Sequence, residues 1–234
     1  MRVITLYCGE CGDSSSECRF VCIGGCIASV KTWRTFEDEW RQVLDRADIR
    51  VFKMDDFENH HGEFEKWKDK PNEHRAFLAQ LMTVLQKHLF VYLAASEPVY
   101  KTMDGKLVMR DDPYFDCLVA ILDSALSYLE SFELGEKVQI VFADYAEHSS
   151  PARQLFPEAR GRVGGLCDRL VSDAYGLLTD VVALQPADLV AFEVRKERER
   201  LALRPRDKQR WPLAQLLTKP FYWNGYFRPP SPAL

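Results

Sequence analysis

"RVITLYCGECGD", residues 2–13, sets the reading of the whole chain. Its apolar run reads as a strand, then breaks into two cysteines, two glycines and two acids. "RFVCIGGCIASV", residues 19–30, is a second strand candidate, and the loop between them carries Gly12, Asp13 and three serines. The two make a hairpin with Glu10 at its mouth. Directly after it, Trp33, Phe36, Trp40, Val43 and Leu44 fall on one face of a helix. Thr32 is the expected N-cap of that helix.

Working outward, residues 49–54 ("IRVFKM") read as a short strand running into Asp55 and Asp56. Residues 73–88 return to helical spacing, and 89–96 read as a strand. Residues 112–132 give a helix with Asp112 as cap, Pro113 in its first turn and Gly135 beyond its end. "KVQIVFADY", residues 137–145, is a buried strand ending at Asp144. A helix is expected around 163–174, a last strand at 180–184, and a helix from Gln185 onward. The tail, 211–234, reads as packed coil with a short helix near 213–218. Alternating strands and helices predict one α/β domain over 1–234 with a mixed sheet flanked by helices.

Composition narrows the classes. The 234 residues are 47% hydrophobic, enough for a core without disulfide staples. The longest apolar runs, such as "LVAIL" at 118–122, are too short to span a bilayer, so no membrane partner is expected. The first residues hold no long apolar block with a cleavage site, so secretion is not expected. The seven cysteines read as reduced thiols of a cytoplasmic protein.

Three acids share one setting. Glu10 follows the first strand, Asp144 ends an apolar strand, and Asp188 opens a helix. Carboxylates at strand ends and helix starts can converge on one sheet edge, as magnesium or manganese requires. Taken singly, Asp188 could equally complement a helix dipole and Asp144 begin a turn.

"YCGECGD", "FVCIGGCIAS", "VFADY" and "LQPADLVA" together resemble the domain of unknown function 3800 family, which is similar to ribonuclease H-like enzymes. The likeness runs from the first strand to the helix after Asp188. It implies a ribonuclease H-like fold with helical insertions. It also implies a Mg- or Mn-dependent nuclease that hydrolyses nucleic-acid phosphodiesters. Carried over, Glu10, Asp56, Asp144 and Asp188 are the metal ligands, and His148 orients an attacking water. The family opens with "Y-x-D-E-S-G-D", whereas this chain has Gly9 at the leading Asp and Cys11 at the serine. In ribonuclease H-like sites that Asp commonly bridges metals. The alternative is therefore a catalytically degenerate member, a nucleic-acid-binding or protein-interaction module in a mobile-element or phage-defence setting.

Two further features carry expectations. Residues 195–210 hold a net charge of +5 and leave −9 to the rest of the chain. That split predicts a phosphate-facing patch of Arg195, Arg198, Arg200, Arg204 and Arg206, for DNA or RNA without distinction. A solvated helix of paired Glu, Lys and Arg is the competing reading. The cysteines offer zinc too few ligands. Cys18, Cys22 and Cys26 are four apart along a strand and more plausibly line one buried face, leaving only Cys8, Cys11 and Cys18 to meet across the hairpin. Zinc and redox roles are not expected.

Overall fold

The computed structural model describes all residues except 1–2, 12–18, 90, 104–105, 110–111, 132–136, 145–149, 225 and 229–234. His148, Asp13, Cys18 and Gly135 lie outside the described residues. Along the chain run β1 (Val3–Cys11), β2 (Phe20–Ser29), α1 (Val30–Arg46), α2 (Met54–Asn59) and α3 (Pro71–His88). There follow β3 (Tyr92–Pro98), a hairpin of β4 (Tyr100–Met103) and β5 (Lys106–Met109), α4 (Pro113–Ser131), β6 (Lys137–Asp144) and α5 (Ala152–Arg162). The chain continues through β7 (Leu170–Leu177), α6 (Gln185–Leu203), α7 (Trp211–Leu216), β8 (Phe221–Trp223) and β9 (Tyr226–Arg228).

The opening hairpin becomes the middle of a seven-stranded sheet ordered β7-β6-β1-β2-β3-β8-β9. β1, β2 and β3 are antiparallel neighbours, whereas β6 and β7 continue parallel from β1. This is an α/β architecture with helices on both faces of a mixed sheet, compatible with a ribonuclease H-like fold. No helix among the described residues is long and apolar enough to cross a membrane.

Strand alternation sorts the side chains into two cores. Ile4, Leu6, Cys8, Ile23, Ile140 and Phe142 face α4 and α5. Cys22, Cys26, Tyr92, Ala94 and Phe221 face the other way, into an aromatic-rich core under α1, α3 and α6 that includes Trp33, Phe36 and Trp40.

Local expectations fail in places, each for a physical reason. Residues 49–53 form no strand, because their amides are taken by a preceding turn and by side chains instead of a ladder: Ile49 N donates to Leu44 O and Arg50 N to Glu63 Oε2, both at 3.0 Å. Phe52 N donates to Gln185 Oε1 at 3.2 Å, and Met54 N donates to Asp188 Oδ2 at 2.8 Å. The helix expected around 163–174 is a short 3-10 turn (Gly164–Arg169) followed by β7. Gly164, with φ of +75°, stands at that break, where the chain turns back towards β6. With β7 in place, residues 182–184 need no strand and make one 3-10 turn, fully buried, that runs straight into α6. α1 begins at Val30 with Ser29 as its cap, whose Oγ accepts from Thr32 N at 3.2 Å. The tail holds α7 and two short strands, because β8 pairs parallel with β3 and brings Phe221 and Trp223 into the core. Asp112 does cap α4, accepting from Phe115 N at 2.8 Å.

Candidate functional site at the carboxyl edge of the sheet

Open α/β sheets bind ligands beyond the carboxyl ends of their parallel strands. Here a cleft of about 510 Å³ lies at that edge, lined by Asp144 and Leu177–Thr179 from the ends of β6 and β7. Its opposite wall is the 50–64 segment, contributing Lys53, Asp56 and His61. Glu63 braces this wall, accepting from Arg50 N at 3.0 Å and from Arg50 Nε at 2.9 Å.

The "LQPADLVA" segment supplies the anchors. Gln185 is fully buried; its Oε1 accepts from Trp40 Nε1 at 2.8 Å as well as from Phe52 N, and its Nε2 donates to Leu178 O at 3.1 Å. One side chain thus ties both walls of the cleft to α6. Asp188, three residues on, is 6% exposed and accepts from Met54 N. Burial pushes its carboxyl up to about 6, against the lowering effect of that hydrogen bond.

Glu10 and Asp144 belong to the other face. Glu10 has the parity of Leu6 and Cys8, so it points towards α4 and α5. Its Oε1 accepts from Tyr114 Oη and from Ser150 Oγ, both at 2.5 Å. Ser150 N donates to Asp144 Oδ1 at 2.8 Å, and Arg153 Nη2 pairs with Asp144 Oδ2 at 2.7 Å. Burial, reinforced by the Glu10 carboxylate, holds the Tyr114 phenol far above its ordinary range. Ser150 thus bridges Glu10 and Asp144, while Asp188 stands across the sheet. Sequence reasoning missed Tyr114, Ser150 and Arg153. A helix starting here was not expected from the sequence, and the Ser150-Pro151 pair before it was the one available signal.

Gly9 explains the separation. A Cβ on Gly9 would lie 2.5 Å from Asp188 N and 2.7 Å from Ala187 C. Its cross-strand partner Gly24 would meet Ala191 N at 2.2 Å. The two glycines let α6 rest its backbone directly on β1 and β2, with Ala187 and Ala191 one helical turn apart. The space that a first-strand carboxylate would occupy is filled by the backbone of the helix that carries Asp188.

These residues do not fit a two-metal centre. Such a centre needs carboxylates aimed at one region, with ions about 3.5–4 Å apart. Here Glu10 and Asp188 point to opposite faces, Asp144 is tied by Arg153 and Ser150, and the first-strand position cannot carry a side chain. Asp56 and Asp144 do share the cleft. Among the described residues, no three His, Cys, Asp or Glu side chains are grouped to hold a metal ion.

The cysteines divide likewise. Cys8 faces the α4 side and Cys11 the α6 side, so the C-x2-C cannot chelate as a pair; Cys18, the third cysteine expected to reach them across the hairpin, lies outside the described residues. Cys22 and Cys26 line one buried face as expected. Cys11 Sγ lies 2.9 Å from Arg195 Nε, yet burial pushes its thiol up to about 12.

Of the five arginines expected to face phosphate, most have partners inside the protein. Arg195 pairs with Glu199 at 2.8 Å and Arg200 makes a two-pronged pair with Glu197. Arg198 stacks over the Phe20 ring at 5.2 Å. Arg204 and Arg206 are exposed, as is Lys208; Arg204 makes a solvent-facing contact with Asp207 at 3.5 Å. No protein-family model matches this chain, and no curated protein matches it.

Proposed function

We propose that this chain is a ribonuclease H-like module that binds nucleic acid and does not cleave it by two-metal chemistry. The reading rests first on the resemblance to the domain of unknown function 3800 family. The observation that carries the loss of cleavage is the packing of Asp188 and Ala187 backbone onto Gly9. That contact removes the position of the leading carboxylate and leaves Glu10 serving Tyr114 and Ser150.

The binding surface combines the cleft with the exposed turn at 204–208. Arg200 Nη1 donates to Asp207 O at 2.7 Å, folding this turn back along α6, and Arg210 then reaches Glu58 on α2. Arg210, just past this turn, therefore ties its end to α2, which contributes Asp56 to the cleft wall. Each phosphate neutralised on duplex DNA adds about −0.9 to the slope of log affinity against log salt.

The test pairs two assays on labelled single- and double-stranded DNA and RNA. Salt-dependent binding is expected, with the slope shallower by about 2–3 when Arg204, Arg206 and Lys208 are changed to Gln. No cleavage is expected with magnesium or manganese. Metal-dependent cleavage abolished by Asp188→Asn would restore the nuclease reading, and absence of binding would remove the nucleic-acid partner.

A further inference from the structure

Arg210 lies in the basic window, yet both edges of its guanidinium are already taken. Nη1 and Nη2 donate to the two carboxylate oxygens of Glu58 at 2.8 and 2.9 Å. Nε and Nη2 donate to Glu193 Oε2 and Oε1, each at 3.0 Å. Glu193 is fully buried on α6, whereas Glu58 is on α2. One planar cation thus joins two carboxylates from elements 135 positions apart in sequence. Two further polar ties run the same way: Arg195 Nη2 to Asp55 Oδ1 at 3.7 Å, and Met54 N to Asp188 Oδ2.

The helix at the receiving end is weak on its own. α2 has six residues, too few to persist without tertiary contacts. It ends at His60, in the left-handed region with φ of +56°, and the chain then turns into the cleft wall at His61. Met54 and Phe57 anchor one side of it in the core. The other side carries Asp55 and Glu58, the partners of Arg195 and Arg210.

We infer that Arg210 and Glu58 form a latch that positions two parts of the binding surface against each other, the cleft wall at 53–61 and the exposed basic turn at 204–208. Arg210 is a positioning residue here, not a phosphate ligand. The inference rests on reading the cleft and this turn as one binding surface. It reassigns part of the positive window: Arg195 and Arg210 assemble the surface, while Arg204, Arg206 and Lys208 face outward.

Glu58→Gln is the informative variant, because it opens only the α2 arm and leaves Arg210 paired with buried Glu193. Amide exchange by mass spectrometry then reads the latch directly. Within α2 and its exit, Phe57 N donates to Lys53 O, His60 N to Phe57 O and His61 N to Asp56 O. Their exchange should rise about five- to tenfold, while α1 and α4 stay unchanged. Unchanged exchange at 57–61, or a uniform rise across all helices, overturns the latch.

Oligonucleotide binding supplies a readout with opposite signs for the two interpretations. Glu58→Gln removes a negative charge, so long-range electrostatics alone would tighten binding. A positioning role weakens it, by about three- to tenfold at fixed salt. Arg210→Lys keeps the charge but loses the fork and should weaken binding in the same direction. Tighter or unchanged binding in Glu58→Gln rejects the coupling of the two surfaces. If the parent binds no oligonucleotide, the function proposed above falls, and the exchange result alone decides the latch.

Discussion

Gly9 is required by space and not by backbone conformation, since its φ is not among the positive values in the chain. Adding even a methyl group there drives it into the backbone of Ala187 and Asp188, and a helix backbone cannot rotate aside as a side chain can. Gly9→Ala should therefore cost about 3 kcal/mol, and Gly9→Asp more, measured by urea unfolding. A Gly9→Asp protein as stable as the parent, with new manganese affinity, would show that α6 can yield and the old site be rebuilt. Asp188 supplies a second test. Its folded-state pKa of about 6 lies above its ordinary value near 3.8, so folding takes up a proton between those values. The stability contributed is complete below about pH 4 and lost as pH rises through 6, up to about 3 kcal/mol. Asp188→Asn resembles the protonated form and keeps an oxygen for Met54 N. It should raise the melting temperature at pH 8 and flatten stability between pH 4 and 7; a lower melting temperature at pH 8 would mean that the charged carboxylate is needed.

At the scale of elements, the network around Glu10 joins the starts of α4 and α5 to the end of β1. Tyr114→Phe removes one hydroxyl donor from a half-buried carboxylate that retains Ser150. The expected loss is about 1–2 kcal/mol, read from thermal unfolding. An unchanged melting temperature would indicate that Glu10 is not held by α4 and is open to other ligands. Elements were legible in the sequence where the determinant was local. The β1–β2 hairpin showed in its polar loop, α4 in Asp112 and Pro113, and α1 in its apolar spacing. They were not legible where tertiary partners decide. Residues 49–53 have strand composition, but the amides of Arg50 and Val51 are taken by Glu63 and that of Phe52 by Gln185, 133 positions away. β7 is an edge strand with Val171, Ser172 and Asp173 exposed, so it lacks the continuous apolar run of a buried parallel strand. The candidate site was half legible for the same reason. The strand-end and helix-start acids were visible, but the face each one takes depends on parity at Gly9 and on a helix lying over it.

At the scale of the molecule, two large cores lie back to back on one sheet, and β1, β2 and β3 contribute side chains to both, while β6 feeds the α4 side and a small cluster with Leu178 and Leu184. Neither core can lose its strands without exposing the other, so the two should unfold together. The cysteines report on each face without added probes. Cys8 and Cys117 lie in the core under α4 and α5, and Cys22 and Cys26 in the core under α1 and α6. All four are fully buried, so each reacts with an alkylating reagent only after its core opens. Peptide-resolved iodoacetamide labelling across a urea series should give these four thiols one common midpoint, matching that of the loss of helix by circular dichroism. Cys11, which is only partly buried, should react earlier, although burial and its raised thiol pKa slow it below an ordinary surface cysteine. The aromatic core is tied down by the charged latch at Arg210, and the α4 side by the Arg153–Asp144 pair and the Glu10 network. Two distinct midpoints, at low salt or high, would show that the chain unfolds as two units in spite of its shared sheet.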